Sequence, residues 1–243
     1  GFVKVVIESG AKLFLLCSPH NPAGRIWTRD ELVRLGEICL MHGVTIVSDE
    51  IHMDFERPGH THIPTASISS EFAHNIVSLA SASKTFNLAG LHTAHAIIEN
   101  PELRNRFVAE VQAAGYSQGS TLGLVATKAA YQHGEEWLDA LLEYLEGNWC
   151  FLDEFIEGRL PELKLIEAEG TYLAWIDCSS LSMGDRELQR FILDDAGLWL
   201  DQGHIFGESG SGFIRINIAT QRSYLEKALK QLEAAIITWR KTQ

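Results

Sequence analysis

The 243-residue sequence lacks several things, and each lack excludes a class of protein. No apolar run reaches the ~18 residues of a membrane-spanning helix. The opening GFVKVVIESG has neither the apolar stretch nor the cleavage site of a secretory signal. Cationic residues are in the minority, 20 Lys+Arg against 32 Asp+Glu, for a formal charge of −12. So acidic a chain is a poor ligand for phosphate backbones or anionic headgroups, so neither nucleic acid nor membrane is an expected partner. Cys17, Cys39, Cys150 and Cys178 are widely spaced and form no C-x-x-C pair. They read as reduced thiols of a cytoplasmic protein, not as a disulfide framework. Proline is scarce, with 6 residues, while 46% of the chain is hydrophobic, which excludes disordered and collagen-like classes.

What is present alternates. Leu13–Cys17 is an apolar run that predicts a buried strand, followed by the polar turn Ser18–Gly24. Thr28-Arg-Asp-Glu31 is a capping box that opens a helix to about Met41. Val44–Ser48 predicts a second strand leading into Asp49-Glu50, Ile76–Ala80 a third leading into Ser81–Lys84, and Thr93–Ile98 a fourth. Continuous apolar strands separated by helices indicate parallel β-α-β units. From Pro101 to about Arg159 the pattern is helical, with Trp137, Leu141, Leu145 and Trp149 four apart on one helix from Glu135, a core or subunit face.

Strands follow at Leu163–Glu167 and Tyr172–Asp177, then a helix over Asp185–Asp195. Two short strands are expected around Trp199 and at Phe213–Ile218, then a helix capped by Thr220 and running to about Arg240. The expected domains are 1–159, a large α/β domain with a long connecting helix, and 160–243, a small α+β domain. The chain enters a buried strand almost at once, and three or four parallel strands are few for the surrounding helices. It therefore reads as a fragment of a longer protein.

In an open parallel sheet, ligands bind beyond the carboxyl ends of the strands. Asn21, Asp49 and Lys84 follow the first three strands, so one sheet edge is expected to collect them. Taken singly, each suits a turn. Together they suit one chemistry: a lysine that forms a Schiff base with an aldehyde, and an acid that partners a pyridinium nitrogen, which are the needs of pyridoxal phosphate. Ser81 and Ser83 can offer hydroxyls and backbone N–H groups to a phosphate. Arg215, between apolar neighbours in Phe213–Asn217, suits a planar carboxylate.

Asn21-Pro-Ala-Gly24, Asp49-Glu-Ile-His52, Ser81-Ala-Ser-Lys84 and Arg215-Ile-Asn217 occur in the order and spacing of class I/II aminotransferases of fold type I. The resemblance runs from about Leu13 to the chain end. Ser18-Pro-His-Asn-Pro22 and His52 make it most similar to the cystathionine β-lyase branch. The resemblance implies pyridoxal 5'-phosphate as cofactor and Lys84 as the residue that links to it and moves the proton at the substrate α-carbon. It implies that Asp49 pairs with the ring nitrogen and that Asn21 and His52 meet the phenolic oxygen. Ser81 and Ser83 correspond to the phosphate cup, and Arg215 to the clamp on the substrate carboxylate. Tyr172 is placed on the substrate side.

The activity it implies is a carbon–sulfur β-lyase acting on a sulfur amino acid, in a cytoplasmic homodimer. An aminotransferase and a regulatory binding protein on the same fold are the rivals. Where many relatives carry Gly-Phe-Arg, this chain reads Gly90-Leu-His92, without that phosphate charge. The N-terminal portion of the family is expected to be missing.

Other patterns carry less. Gly115-Tyr-Ser117-Gln-Gly119 fits the nucleophile elbow G-x-S-x-G but joins helical stretches, the wrong context. The glycine-rich Gly207–Gly212 leads into a strand and lacks the dinucleotide spacing. His60 and His62 read as solvated loop histidines, and His92 and His95 as sheet packing. No metal site is expected.

Overall fold

The computed structural model describes residues 1–116 and 119–241. The chain divides into two compact units, one of Gly1–His20 with Arg25–Asp139, the other of Asn21–Gly24 with the chain from Ala140 onward.

The first unit opens with α1 (Phe2–Ser9), where the sequence reading expects almost immediate entry into a strand. Val and Ile favour strands by propensity. Here Phe2 and Val6, four residues apart, share the inward face: Val6 is buried, and the Phe2 ring lies 4.7 Å from that of Phe14. Gly10, at φ 60°, ends the helix in the left-handed region that suits glycine.

Then come β1 (Leu13–Cys17), α2 (Arg29–Met41), β2 (Thr45–Asp49), α3 (Ser70–His74), β3 (Ile76–Ala80), α4 (Ala82–Thr85) and β4 (His95–Ile97). The unit closes with α5 (Pro101–Ala113) and α6 (Thr121–His133). The sheet order is β1-β2-β3-β4, with β1, β2 and β3 parallel. The sheet is mainly parallel, as expected, and β4 is the exception: it runs antiparallel to β3, reached through short turns instead of a crossover helix. The register sets Cys17 beside Asp49 and Asp49 beside Leu79, so the carboxyl ends of three strands lie level.

The capping box at Thr28 forms as the sequence predicts: the Thr28 side chain accepts from Glu31 N, and Glu31 accepts from Thr28 N at 3.0 Å. That backbone hydrogen bond is the main reason the Glu31 carboxyl sits below its ordinary range. Leu32 and Leu35 of α2 pack with Leu16, Ile46, Phe72 and Ile76 in the core. Gly36 lets α3 approach α2, since a Cβ there would lie 2.2 Å from the Phe72 ring.

In the second unit α7 (Glu135–Arg159) supplies the central helix. The division falls inside it, after Asp139, upstream of the position near 160 expected from the sequence. The reason is packing: Leu145, Trp149, Leu152, Phe155 and Ile156 are buried in the core of this unit. Then follow β5 (Lys164–Leu165), β6 (Leu173–Asp177), α8 (Asp185–Arg190), a π-helical turn Phe191–Asp195, β7 (Asp201–Gln202), β8 (Phe213–Asn217) and α9 (Arg222–Arg240). The strands form an antiparallel sheet in the order β5-β6-β8-β7.

Trp199 lies outside β7 and is 91% exposed, and the cap of α9 is Gln221 instead of Thr220. Thr220 serves differently: its carbonyl and that of Ile218 accept from Nδ2 of the fully buried Asn148, whose Oδ1 accepts from Arg222 Nε. The four cysteines are free, and burial pushes the Cys178 thiol up to about 12 and that of Cys39 up to about 11. Among the described residues no helix is long and apolar enough to cross a membrane.

Candidate active site

The first unit assembles Asp49, His52, Ser81, Ser83 and Lys84 from two neighbouring strand ends. Asp49 closes β2, and its Oδ1 accepts from Ile51 N at 3.2 Å. Its Oδ2 has no partner among the described residues. Its backbone is pinned from one side, because Ser18 N donates to Asp49 O at 3.1 Å. His52 is buried, its ring centroid 6.2 Å from that of Phe55.

Beyond β3 the chain turns into the single helical turn of α4. Ser81 caps it, Oγ accepting from Ser83 N at 3.0 Å while donating to Thr93 O at 2.6 Å. The Ser81 hydroxyl therefore spends its proton on shaping the turn. The Ser83 hydroxyl has no partner among the described residues. Lys84 is half-buried, and its amine makes neither hydrogen bond nor ion pair among the described residues. Thr85, fully buried, donates to Asp54 Oδ2 at 2.5 Å, which ties the Lys84 turn to the segment that carries His52. His92 is exposed at φ 49°.

The second unit holds Asn21 and Arg215. Gly24 fixes the Asn21 turn: it sits at φ 68°, where a Cβ would lie 2.6 Å from Ala168 Cβ, and its carbonyl accepts from Glu169 N and Gly170 N. Asn21 Oδ1 accepts from Arg215 Nη1 at 2.6 Å, across 194 residues of sequence. Arg215 lies opposite Trp175 on β6 and Asp201 on β7. Its Nε and Nη2 both donate to Asp201 Oδ2, the former at 3.2 Å, and its guanidinium stands 4.8 Å from the Phe206 ring centroid. Burial raises the half-buried Tyr172 phenol, and the Arg215 charge opposes that shift.

Sequence reasoning missed Asp201 and Asp54, whose partners are remote in sequence; an acidic residue two positions after Trp199, beside the short strand expected there, was the available signal for Asp201. His62 corrects the expectation of a solvated loop histidine: it is 8% exposed, and its Nε2 lies 3.1 Å from Glu50 Oε2. No metal-binding cluster of His, Cys, Asp or Glu exists among the described residues. Ser117 of the G-x-S-x-G match lies outside them.

A family model described as aminotransferase class I and II matches residues 4–232. Cystathionine beta-lyase PatB of Bacillus subtilis (strain 168) is 42% identical over 229 residues, 94% of this chain and 59% of its own length. Protein MalY of Escherichia coli (strain K12) is 39% identical over 233 residues, 96% of this chain and 59% of its own. The chain spans about three-fifths of the length of these relatives. Among solved structures, cystalysin from Treponema denticola, which contains a pyridoxal 5'-phosphate cofactor, superposes with a TM-score of 0.95 at 36% identity. The match covers 97% of this chain and 60% of that one. The fold is that of the pyridoxal-phosphate-dependent aminotransferases, and the chain belongs to the aminotransferase class I and II family.

Proposed function

We propose that this chain carries the cofactor and substrate residues of a pyridoxal-phosphate-dependent carbon–sulfur β-lyase. The observation that carries the reading is the half-buried, unpartnered Lys84 amine on the turn after β3, one strand over from the open carboxylate oxygen of Asp49. The donor set fits the cofactor. Lys84 can bond its aldehyde carbon, Asp49 can hold a proton on its ring nitrogen, and the Ser83 hydroxyl can serve its phosphate. Bound there, pyridoxal phosphate supplies a sink for the electron pair left at the substrate α-carbon.

The protein residues do the rest. Lys84 would hold the cofactor through its amine and would act as the base for the substrate α-proton. Asn21 and His52 would donate to its phenolic oxygen, and Arg215 would receive the substrate carboxylate. The thiolate leaves from the β-carbon, and water completes the conversion to pyruvate and ammonia. A sulfur amino acid of the cystathionine type is the substrate, a choice supported by the lyase among the similar relatives. A cytoplasmic homodimer is the accompanying inference: the four free cysteines suit a reducing compartment, and exposed Leu122, Leu124 and Val125 on α6 offer apolar surface that a second copy would cover.

The test is pyruvate release from cystathionine by the full-length protein reconstituted with pyridoxal phosphate and given no keto acid. Amino transfer that requires a keto acid, with no pyruvate, replaces the lyase by an aminotransferase.

A second expectation concerns Asp201, which already occupies the Nε–Nη2 edge of Arg215 and must give way to a carboxylate bound there. Asp201 is 47% exposed, so the pair is worth at most about 1 kcal/mol. Asp201→Asn removes the competing charge and is expected to lower KM up to about fivefold with kcat unchanged. A higher KM would show instead that Asp201 orients Arg215.

A further inference from the structure

One buried polar cluster of the first unit has no part in the reading above. Alternation along β2 puts Ser48 and Glu50 on the face opposite Asp49. Ser48, Glu50, His62 and Thr65 are 0%, 3%, 8% and 1% exposed. Three donors converge on the Glu50 carboxylate: Ser48 Oγ at 2.8 Å and Thr65 N at 3.1 Å on Oε1, His62 Nε2 at 3.1 Å on Oε2. Thr65 Oγ1, 3.1 Å from Ser48 Oγ, donates in turn, because the Ser48 proton is already committed.

The hydrogen bonds favour one arrangement of protons. His62 Nδ1 is buried and has no partner among the described residues. An imidazolium, or a neutral ring protonated on Nδ1, would leave an orphaned buried N–H, the costlier kind of unsatisfied group. A neutral ring protonated on Nε2 leaves only a bare acceptor and makes three donors to Glu50, the surroundings that suit an ionised carboxylate. No member of the cluster is cationic, so hydrogen bonds alone meet this buried charge beside Asp49. Such a charge is costly until a cation comes near. Glu50 is also fixed in place, its N–H donating to Leu79 O of β3 at 2.9 Å.

We propose that Glu50 is a positioning residue for Asp49: a buried anion that locks the end of β2 and adds its field to that of Asp49, favouring a protonated ring nitrogen there. The proposal rests on the reading that Asp49 meets that nitrogen.

Two measurements test it. Titration of wild type and Glu50→Gln with pyridoxal phosphate is expected to show affinity about tenfold weaker in the variant, the equivalent of one pKa unit at the ring nitrogen. With 15N-labelled cofactor, the ring-nitrogen signal moves toward the unprotonated position, a change that mere loosening of the fold does not produce. Equal affinity and an unmoved signal in a folded variant overturn the proposal. If Glu50→Gln does not fold, His62→Gln, which keeps a donor to Glu50, is expected to bind the cofactor more tightly than His62→Ala; equal affinities overturn it. Independently of any cofactor, 15N spectra of the wild-type imidazoles should find His62 neutral and protonated on Nε2. A proton on Nδ1 overturns the anionic assignment of Glu50. A full-length wild type that binds no pyridoxal phosphate overturns the cofactor reading, and the His62 tautomer still tests the charge of Glu50.

Discussion

Lys84→Ala is expected to abolish the borohydride-reducible adduct with pyridoxal phosphate and to lower β-lyase turnover by roughly 10⁴-fold, the upper range for a positioned acid–base group. The argument starts from what the side chain does not do. Its amine holds no hydrogen bond or ion pair among the described residues, and its turn is shaped by Ser81 and anchored by Thr85 to Asp54. Removing the amine therefore leaves the turn intact, and stability should change by no more than about 0.5 kcal/mol. Thermal melting of the variant checks that half of the prediction, and peptide mapping of reduced wild type checks that the adduct sits on Lys84.

A small primary amine added to the variant should restore part of the turnover, because the missing function is a proton carrier and not a structural strut. Retained turnover in Lys84→Ala would remove the lysine from the mechanism. Retained binding of a protein partner with turnover lost would favour the regulatory rival as a second role.

The site residues differ in how far the sequence alone reveals them, for physical reasons. β1, β2 and β3 are mainly apolar runs and are legible by that pattern, although Leu13 and Leu15 of β1 are exposed and not buried as expected. The polar residue that ends each run then stands out, and Asp49 and Lys84 are legible on that ground. The capping box at Thr28 is legible because its hydrogen bonds span three residues.

Asn21 is different. A local reading sees a turn residue, while its partner Arg215 lies 194 residues away. The direction of β4 is hidden because three residues, two half-buried and one exposed, carry no period that separates parallel from antiparallel pairing. His62 looks solvated among polar neighbours, and only the inward turn of Glu50 explains its burial. α1 is concealed by Val and Ile, which weigh toward a strand until the Phe2–Phe14 contact and the Gly10 stop decide for a helix. The split of α7 follows from which of its residues are buried in the second unit, and helical period alone does not report that.

Asp49→Asn is expected to keep the Lys84 adduct and still lose roughly 10²- to 10³-fold in turnover, the scale of one preorganised electrostatic group. Asparagine keeps the size of the side chain and an oxygen that can accept from Ile51 N, so the end of β2 should hold its shape. It loses the charge that, in the proposed reading, keeps a proton on the ring nitrogen, and an unprotonated ring is a weaker sink for the electrons of the α-carbon. Visible absorbance of the reconstituted variant would show the adduct, and pyruvate release would show the loss.

The same variant separates Glu50 from Asp49. If Glu50 acts through the nitrogen that Asp49 holds, the double variant Asp49→Asn, Glu50→Gln should lose little beyond Asp49→Asn alone, the non-additivity of residues that serve one interaction. If the two losses multiply, Glu50 works by a route that does not pass through Asp49. The positioning role then falls, while the catalytic role of Asp49 stands on its own measurement.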